Sequence, residues 1–383
     1  MNTKKTLFLI GVFILIALLA KNYLPSNRLE DRCGQVADEK KSQCWQDLVS
    51  EVLDKKGLDG AFDLVSEIYA REPAFRASCH DYVHLIGKKA YVLFSQEKDF
   101  KVNEKTAFCA FGFYHGFMEN LVSDRGDLTL AREFCREVDQ QLQEKSPSAV
   151  LSCYHGIGHG WTNIHDQALW GNERAMVSPA LALCEKVAED GHQLKICATG
   201  VFDSISIGYY NEAYGLKIKK DDPLWLCREQ EARFKESCYR DMMPAIIWLG
   251  GYDLEKSLYY LRFVEEPYLE LSVEGLAENS VRFILAENKN PQEYVSVCRK
   301  LKSQSQATSC IRGLGSGVMQ FGPPGEEYVK AIRFCQEAGL NDGEKDACFQ
   351  KVLTYVKSRY STEKSQEICL NIEGRYRNYC KVE

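Results

Sequence analysis

The sequence predicts an all-α protein, an α-solenoid of tandem helical hairpins stapled by disulfides and preceded by a hydrophobic anchor or signal helix. Three observations carry this prediction. Sixteen cysteines among 383 residues fall into pairs at regular spacings. The stretches that carry them have the apolar pattern of helices, joined by short polar turns such as QEKSPSA and NDGEKDA. Nowhere does the chain alternate apolar and polar residues as a half-buried strand would.

Taken in order, the first element is residues 1–24. Lys4 and Lys5 precede an unbroken apolar run from Leu7 to Ala20, and Lys21 ends it. A basic start followed by an apolar segment directs export. The run is short for a spanning helix, though Tyr23 and Leu24 extend it. The context Leu18-Leu19-Ala20 suits cleavage poorly, so an uncleaved membrane anchor is preferred to a signal peptide. Residues 25–32 then read as a linker, and residues 33–383 as an ectodomain outside the cytoplasm, membrane-anchored or secreted.

The cysteines agree with that compartment. Seven pairs, from Cys33 and Cys44 to Cys369 and Cys380, lie 11 to 18 residues apart, and Cys79 and Cys109 lie 30 apart. No C-x-x-C occurs, which speaks against zinc ribbons and thioredoxin-like sites. So many thiols suit an oxidising environment, where they serve as cross-links. In most pairs the first cysteine ends one helical stretch and the second opens another, as in YVKAIRFCQEA and CFQKVLTYV. Each pair therefore spans a helical hairpin, with a stabilisation of about 3 kcal/mol in the chain-entropy picture.

With the second cysteine as origin, the inner helices start at 44, 79, 109, 153, 197, 238, 310, 348 and 380, mostly 30 to 44 residues apart. The interval from 238 to 310 leaves room for one further unit without cysteines, near LELSVEGLAENSVRF. Repeats of this length built from two helices stack as an α-solenoid. Cys79 and Cys109 both open inner helices and are expected to bond between neighbouring units. The architecture resembles tetratricopeptide-type helical arrays without carrying their signature residues.

Small residues recur on the inner helices at Gly112, Gly156, Gly200 and Gly313, and again at Gly116, Gly160, Ser204 and Gly317. Glycine inside a helix costs about 1 kcal/mol relative to alanine, so its repetition points to close helix approach. Gly313–Gly317 (GLGSG) belongs to this series and lacks the Lys-Ser/Thr of a phosphate loop. Gly322-Pro323-Pro324-Gly325 ends a helix and resets the chain.

Beside those small residues stand polar ones. His80 and His84, His115 and Glu119, and His155 and His159 are each four residues apart in three successive units, and Asp203 follows in a fourth. Spacing of four places two side chains on one helix face, close enough to share an ion. Five of the seven histidines belong to this set. Histidine and carboxylate on a rigid helical frame suit a divalent transition metal such as zinc, copper or iron. The candidate ligands are His115, His155 and His159, then His84 and Glu119, with His80 a ligand or an orienting group. Glu119 and Asp203 are the candidate catalytic carboxylates, Asp203 as a base, a bridge or an orienter. Six such groups exceed the four of one tetrahedral site, which allows two ions or one with an open position.

An extracytoplasmic metal-binding protein is thus the leading expectation, with a metalloenzyme, hydrolytic or oxidative, as one form of it. The alternative is a non-catalytic scaffold that binds a peptide, glycan or partner protein on its concave face. A metal carrier would use the same site. The net charge of −6, with basic and acidic residues interspersed, gives no footprint for nucleic acid. Beyond His192 the chain has no histidine, and Arg240, Asp241, Arg312 and Ser316 occupy the corresponding region. That half is expected to serve stability or partner contact.

Overall fold

Polar caps cut the chain into helices. Asp127, Asn172, Asp190, Ser303 and Asn341 each accept a backbone N–H at the entrance of a helix, and Asn341 does so in a capping box with Glu344. The computed structural model describes residues 32–96, 101–163, 167–337 and 339–380. The expected anchor at 1–24, and the linker apart from Arg32, lie outside the described residues. Among the described residues no helix is long and apolar enough to cross a membrane.

All the regular structure described is helical. The helices are α1 Asp38–Arg71, α2 Pro73–Ala77, α3 Cys79–Ser95, α4 Phe108–Arg125, α5 Leu128–Leu142, α6 Ala149–Asn163, α7 Glu173–Val187, α8 Gly191–Tyr210 and α9 Trp225–Arg228. They continue as α10 Ala232–Asp241, α11 Met243–Leu249, α12 Leu254–Leu258, α13 Leu269–Ala286, α14 Val295–Cys298, α15 Gln304–Phe321, α16 Glu327–Glu337, α17 Asp342–Arg359 and α18 Thr362–Leu370. Two compact units divide the chain, Met1–Leu48 and Val49–Glu383. The described part of the first holds the Cys33–Cys44 disulfide, with Cα atoms 5.7 Å apart.

In the second unit five disulfides join the end of an outer helix to an inner one: Cys135–Cys153, Cys184–Cys197, Cys227–Cys238, Cys298–Cys310 and Cys335–Cys348. Cys369 pairs with Cys380, and Cys79 bonds Cys109 from one inner helix to the next. No free cysteine is present among the described residues. Eight such bonds indicate an oxidising compartment outside the cytoplasm. The unit without cysteines is also there, with α13 as its inner helix.

Inner helices follow one another in chain order, α3 on α4, α4 on α6, α6 on α8, α8 on α10 and α11, then α13, α15 and α17. An open array would leave its two ends apart, but here the row returns on itself. Arg282 on α13 donates to the Ala77 carbonyl of α2 and pairs with Asp81 at 3.2 Å. Tyr69 donates to the Phe321 carbonyl at the end of α15. The Ser148 amide donates to the Ser358 carbonyl of α17 at 2.8 Å. The inner faces of the second unit thereby surround a cavity of about 810 Å³.

Glycine sets the spacing of that wall. A Cβ on Gly116 would lie 1.9 Å from the His84 carbonyl oxygen, and one on Gly200 1.9 Å from that of His155. On the far side, a Cβ on Gly317 would lie 2.5 Å from the Glu278 oxygen. Backbone thus rests on backbone beneath the polar residues, which draws side chains of successive helices to one place. Ser204 occupies the equivalent position on α8 and donates to the His159 carbonyl at 3.0 Å.

Candidate metal centre

The helices α3, α4 and α6 bring the five paired histidines together on one wall of the cavity, and α8 adds Asp203. His115 stacks between His155 and His159, with ring centroids 4.6 and 5.0 Å away. His84 stands 6.3 Å from both His115 and His159. One ligand atom each from His115, His159 and Asp203 lies within 4.8 Å of the other two. His192, which has no partner at helical spacing, does not line the cavity.

Hydrogen bonding fixes which nitrogen of each ring is available. The Cys109 carbonyl can only accept, so His80 Nδ1 donates to it at 3.0 Å. His80 Nε2 then accepts from His115 Nδ1 at 3.1 Å, which leaves the lone pair of His115 on Nε2. His159 Nδ1 donates to Glu119 Oε1 at 2.5 Å, and His84 Nε2 approaches Glu119 Oε2 at 3.1 Å. Thr199 spends its only hydroxyl proton on the Ile196 carbonyl at 2.6 Å, so it accepts from His155 Nδ1 at 2.7 Å. The Nε2 atoms of His155 and His159 both point towards Asp203 Oδ2, at 3.6 and 3.8 Å. Three Nε2 atoms and one carboxylate thus form the innermost group, while His80, Glu119 and Thr199 each hold one of its rings.

Electrostatics act on His115, His80 and the two carboxylates. Burial, reinforced by neighbouring His155 and His80, holds His115 well below the usual histidine range. Burial also lowers His80, to about 4, with Asp81 opposing and Arg282 assisting. Burial alone would raise Glu119, but His159 and His84 overcome it and hold the carboxyl well below the usual range. Asp203 is likewise pushed up by burial and brought below its ordinary value by His155 and His159. A neutral His115 beside the ionised Glu119 and Asp203 leaves each in the form that binds a cation.

The start of α4 explains how the Cys109 carbonyl reaches His80. Cys109, Ala110 and Phe111 have φ of 49°, 61° and 60°, a left-handed turn made without glycine. For such residues the left-handed region costs about 1–2 kcal/mol each. The Cys79–Cys109 disulfide and the burial of all three side chains hold the turn in place. Strain of this kind collects where a functional geometry requires it.

The opposite wall carries different chemistry. Glu274 and Glu278 on α13 are buried. Glu274 pairs with Arg312 and, at 2.7 Å, with Lys351. Glu278 accepts from Ser316 at 2.6 Å and Tyr355 at 3.1 Å, and pairs with Arg240 at 3.5 Å. Asp241 lines the same cavity, and burial pushes its carboxyl well up despite Arg240. Arg240, Asp241, Arg312 and Ser316 were legible by register; Thr199, Glu274 and Glu278 were not. Thr199 stands two residues after Cys197, as His155 stands two after Cys153. Glu274-Gly275 and Glu278-Asn279 repeat the spacing of His155-Gly156 and His159-Gly160. That spacing was the signal available, hidden because α13 has no cysteine to set the register.

No protein-family model, curated protein or solved structure matches this chain.

Proposed function

We propose that the protein is an extracytoplasmic metal-binding protein, and a metalloenzyme, in which His115, His159 and Asp203 hold one divalent transition metal. What supports this most is the arrangement of hydrogen bonds behind the rings: each has its Nδ1 committed to an acceptor, which leaves its lone pair on Nε2, and the Nε2 atoms of His155 and His159 face Asp203. Such partners orient metal ligands and raise their basicity. Bonds of about 2.0–2.1 Å place tetrahedral ligands about 3.3 Å apart. His159 Nε2 stands 3.8 Å from Asp203, and the ligand atoms of His115, His159 and Asp203 lie within 4.8 Å of one another, so an ion would draw the three side chains together by rotation. His155 is a fourth ligand or a base beside an open position. Glu119 and His80 act behind the ligands, and His84 through Glu119. A zinc ion here would supply Lewis-acid chemistry, and copper or iron would add redox chemistry.

The cavity favours a small-molecule substrate over an extended peptide or glycan, because the inner helices enclose it from several sides. Residues 1–24 would tether the ectodomain to the membrane. The test is elemental analysis of the oxidised protein, purified without a histidine tag, beside a His115→Ala/His159→Ala double variant. About one ion per chain in the wild type and none in the variant is the expected result; its element separates hydrolytic from redox chemistry. A wild-type protein that stays metal-free after reconstitution with zinc, copper and iron would overturn the proposal.

A further inference from the structure

Four cations line the cavity: Lys195, Arg240, Arg282 and Arg359. Three are answered by carboxylates, Lys195 by Glu236 at 2.5 Å, Arg282 by Asp81 at 3.2 Å and Arg240 by Glu278 at 3.5 Å. Arg359 differs. It is 5% exposed, yet among the described residues it has no carboxylate within ion-pair distance. Its Nη1 donates to the Met319 carbonyl at 2.6 Å and its Nη2 reaches Gln320. Its Nε has no hydrogen-bond partner among the described residues. The guanidinium has five N–H donors, so two are used and three remain. Glu327 on α16 feels Arg359 electrostatically, but accepts from Tyr360 at 2.9 Å and makes no ion pair with it.

Burying a cation without a counter-charge is unfavourable unless an anion joins it. The place is suited to one. The guanidinium carbon lies 5.1 Å from the ring of Phe111 and 5.4 Å from that of Tyr355, so the plane is held between aromatic groups. Phe111 precedes His115 by four residues on the same helix, about one turn. We infer that Arg359 is the recognition group for a small organic carboxylate, which it seats beside the histidine wall. This rests on the reading of the cavity as a substrate chamber. A forked donor set matches a carboxylate in two hydrogen bonds. One unneutralised cation suits a monoanion better than a phosphate dianion. Phe111, Tyr210, Tyr252, Phe283 and Phe321 around the cavity suit an organic body.

Benzoate is a direct probe, with inorganic phosphate as the comparator. Calorimetric titration would be run on the oxidised full-length wild type, Arg359→Gln and Arg359→Lys, with metal content measured on each sample. We expect benzoate to bind the wild type more tightly than phosphate. Arg359→Gln should weaken it by about tenfold or more, the worth of one charge-assisted hydrogen bond. Arg359→Lys, which keeps the charge and loses the fork, should fall between. Should the Gln variant fail to fold, as a thermal melt would reveal, the Lys variant and the wild-type preference still decide. Equal benzoate affinity in wild type and variants, no benzoate binding at millimolar concentration, or a preference for phosphate would each overturn the inference. Metal content separates the two proposals: benzoate binding with no metal sinks the metal reading alone, and metal without benzoate binding sinks this one alone.

Discussion

Gly116 rests on the carbonyl of His84 as Gly317 rests on that of Glu278, yet the side chains above the two contacts have little in common. On α3, α4, α6 and α8 they are five histidines and two carboxylates, arranged so that ring nitrogens face a carboxylate. On α13, α15 and α17 they are glutamates closed into ion pairs and hydrogen bonds with Arg312, Lys351, Ser316 and Tyr355. One frame therefore serves two ends. Around Glu274 and Glu278 the charges answer one another within the protein, and that finished part of the wall holds the row of helices together, with Arg359 on α17 the exception. Where lone pairs converge, the wall has capacity left for a ligand.

The first way to break this comparison is to break the frame itself. Gly116→Val and Gly317→Val each drive a side chain into backbone of the neighbouring inner helix. Overpacking usually costs about 1–3 kcal/mol, and a clash with backbone belongs at or above the top of that range. We expect both variants to lose about 3 kcal/mol or more, read by thermal or urea unfolding of the oxidised protein. Only Gly116→Val should also lose metal among the molecules that remain folded. Loss of metal in both would mean that the two walls are not separate in function.

Charge gives the next largest effect. Glu274→Ala leaves Arg312 and Lys351 without their counter-ion. Removing one partner of a fully buried pair costs about 3–5 kcal/mol, but both cations keep part of their side chains in water, so we expect about 2 kcal/mol. Metal stoichiometry should stay at the wild-type value. A variant as stable as wild type would show that the finished wall contributes nothing to stability.

The supporting residues of the histidine wall should behave in the opposite sense. His80→Phe removes the acceptor that holds His115, and Glu119→Gln takes the charge from the acceptor that holds His159. Outer partners of metal ligands are worth about 10–100-fold in affinity. Competition with a chromophoric chelator should find that loss with the unfolding midpoint little changed. Unaltered metal affinity in both variants would refute the hydrogen-bond account of the site.

Much of this was legible in the sequence, for local reasons. A disulfide across a hairpin needs its cysteines one loop apart, so the pairing could be read from spacing, including Cys79–Cys109 between inner helices. Residues four apart share a helix face, so the three pairs containing histidine announced themselves. Closure of the row could not be read this way. It depends on Tyr69 meeting Phe321 and Arg282 meeting Ala77, contacts between residues more than two hundred positions apart that leave no periodic trace. The left-handed turn at Cys109–Phe111 was equally hidden, because Cys, Ala and Phe do not signal positive φ and tertiary packing overrides their preference. Roles within the cluster also needed coordinates. Sequence left Glu119 both a ligand and a catalytic candidate, and Asp203 a base, a bridge or an orienter; the coordinates place Glu119 on the Nδ1 side of His159 and Asp203 on its Nε2 side.

The smallest effect tests that division at the level of one hydroxyl. Thr199 accepts from His155 on one wall, and Ser316 donates to Glu278 on the other. At little change in shape, Thr199→Val removes the bonds to His155 and the Ile196 carbonyl and Ser316→Ala the one to Glu278, so each should cost about 1–2 kcal/mol of stability. Their effects on metal should differ. Without Thr199 the ring of His155 is free to turn, or to carry its proton on Nε2, where it faces Asp203 and repels a cation. Affinity should then fall by about tenfold at most, the low end of what an outer partner contributes, because His115, His159 and Asp203 remain in place. Ser316→Ala should leave affinity unchanged. A larger loss from Thr199→Val would make His155 a ligand of equal standing with His115 and His159, and no loss at all would place His155 outside the coordination sphere.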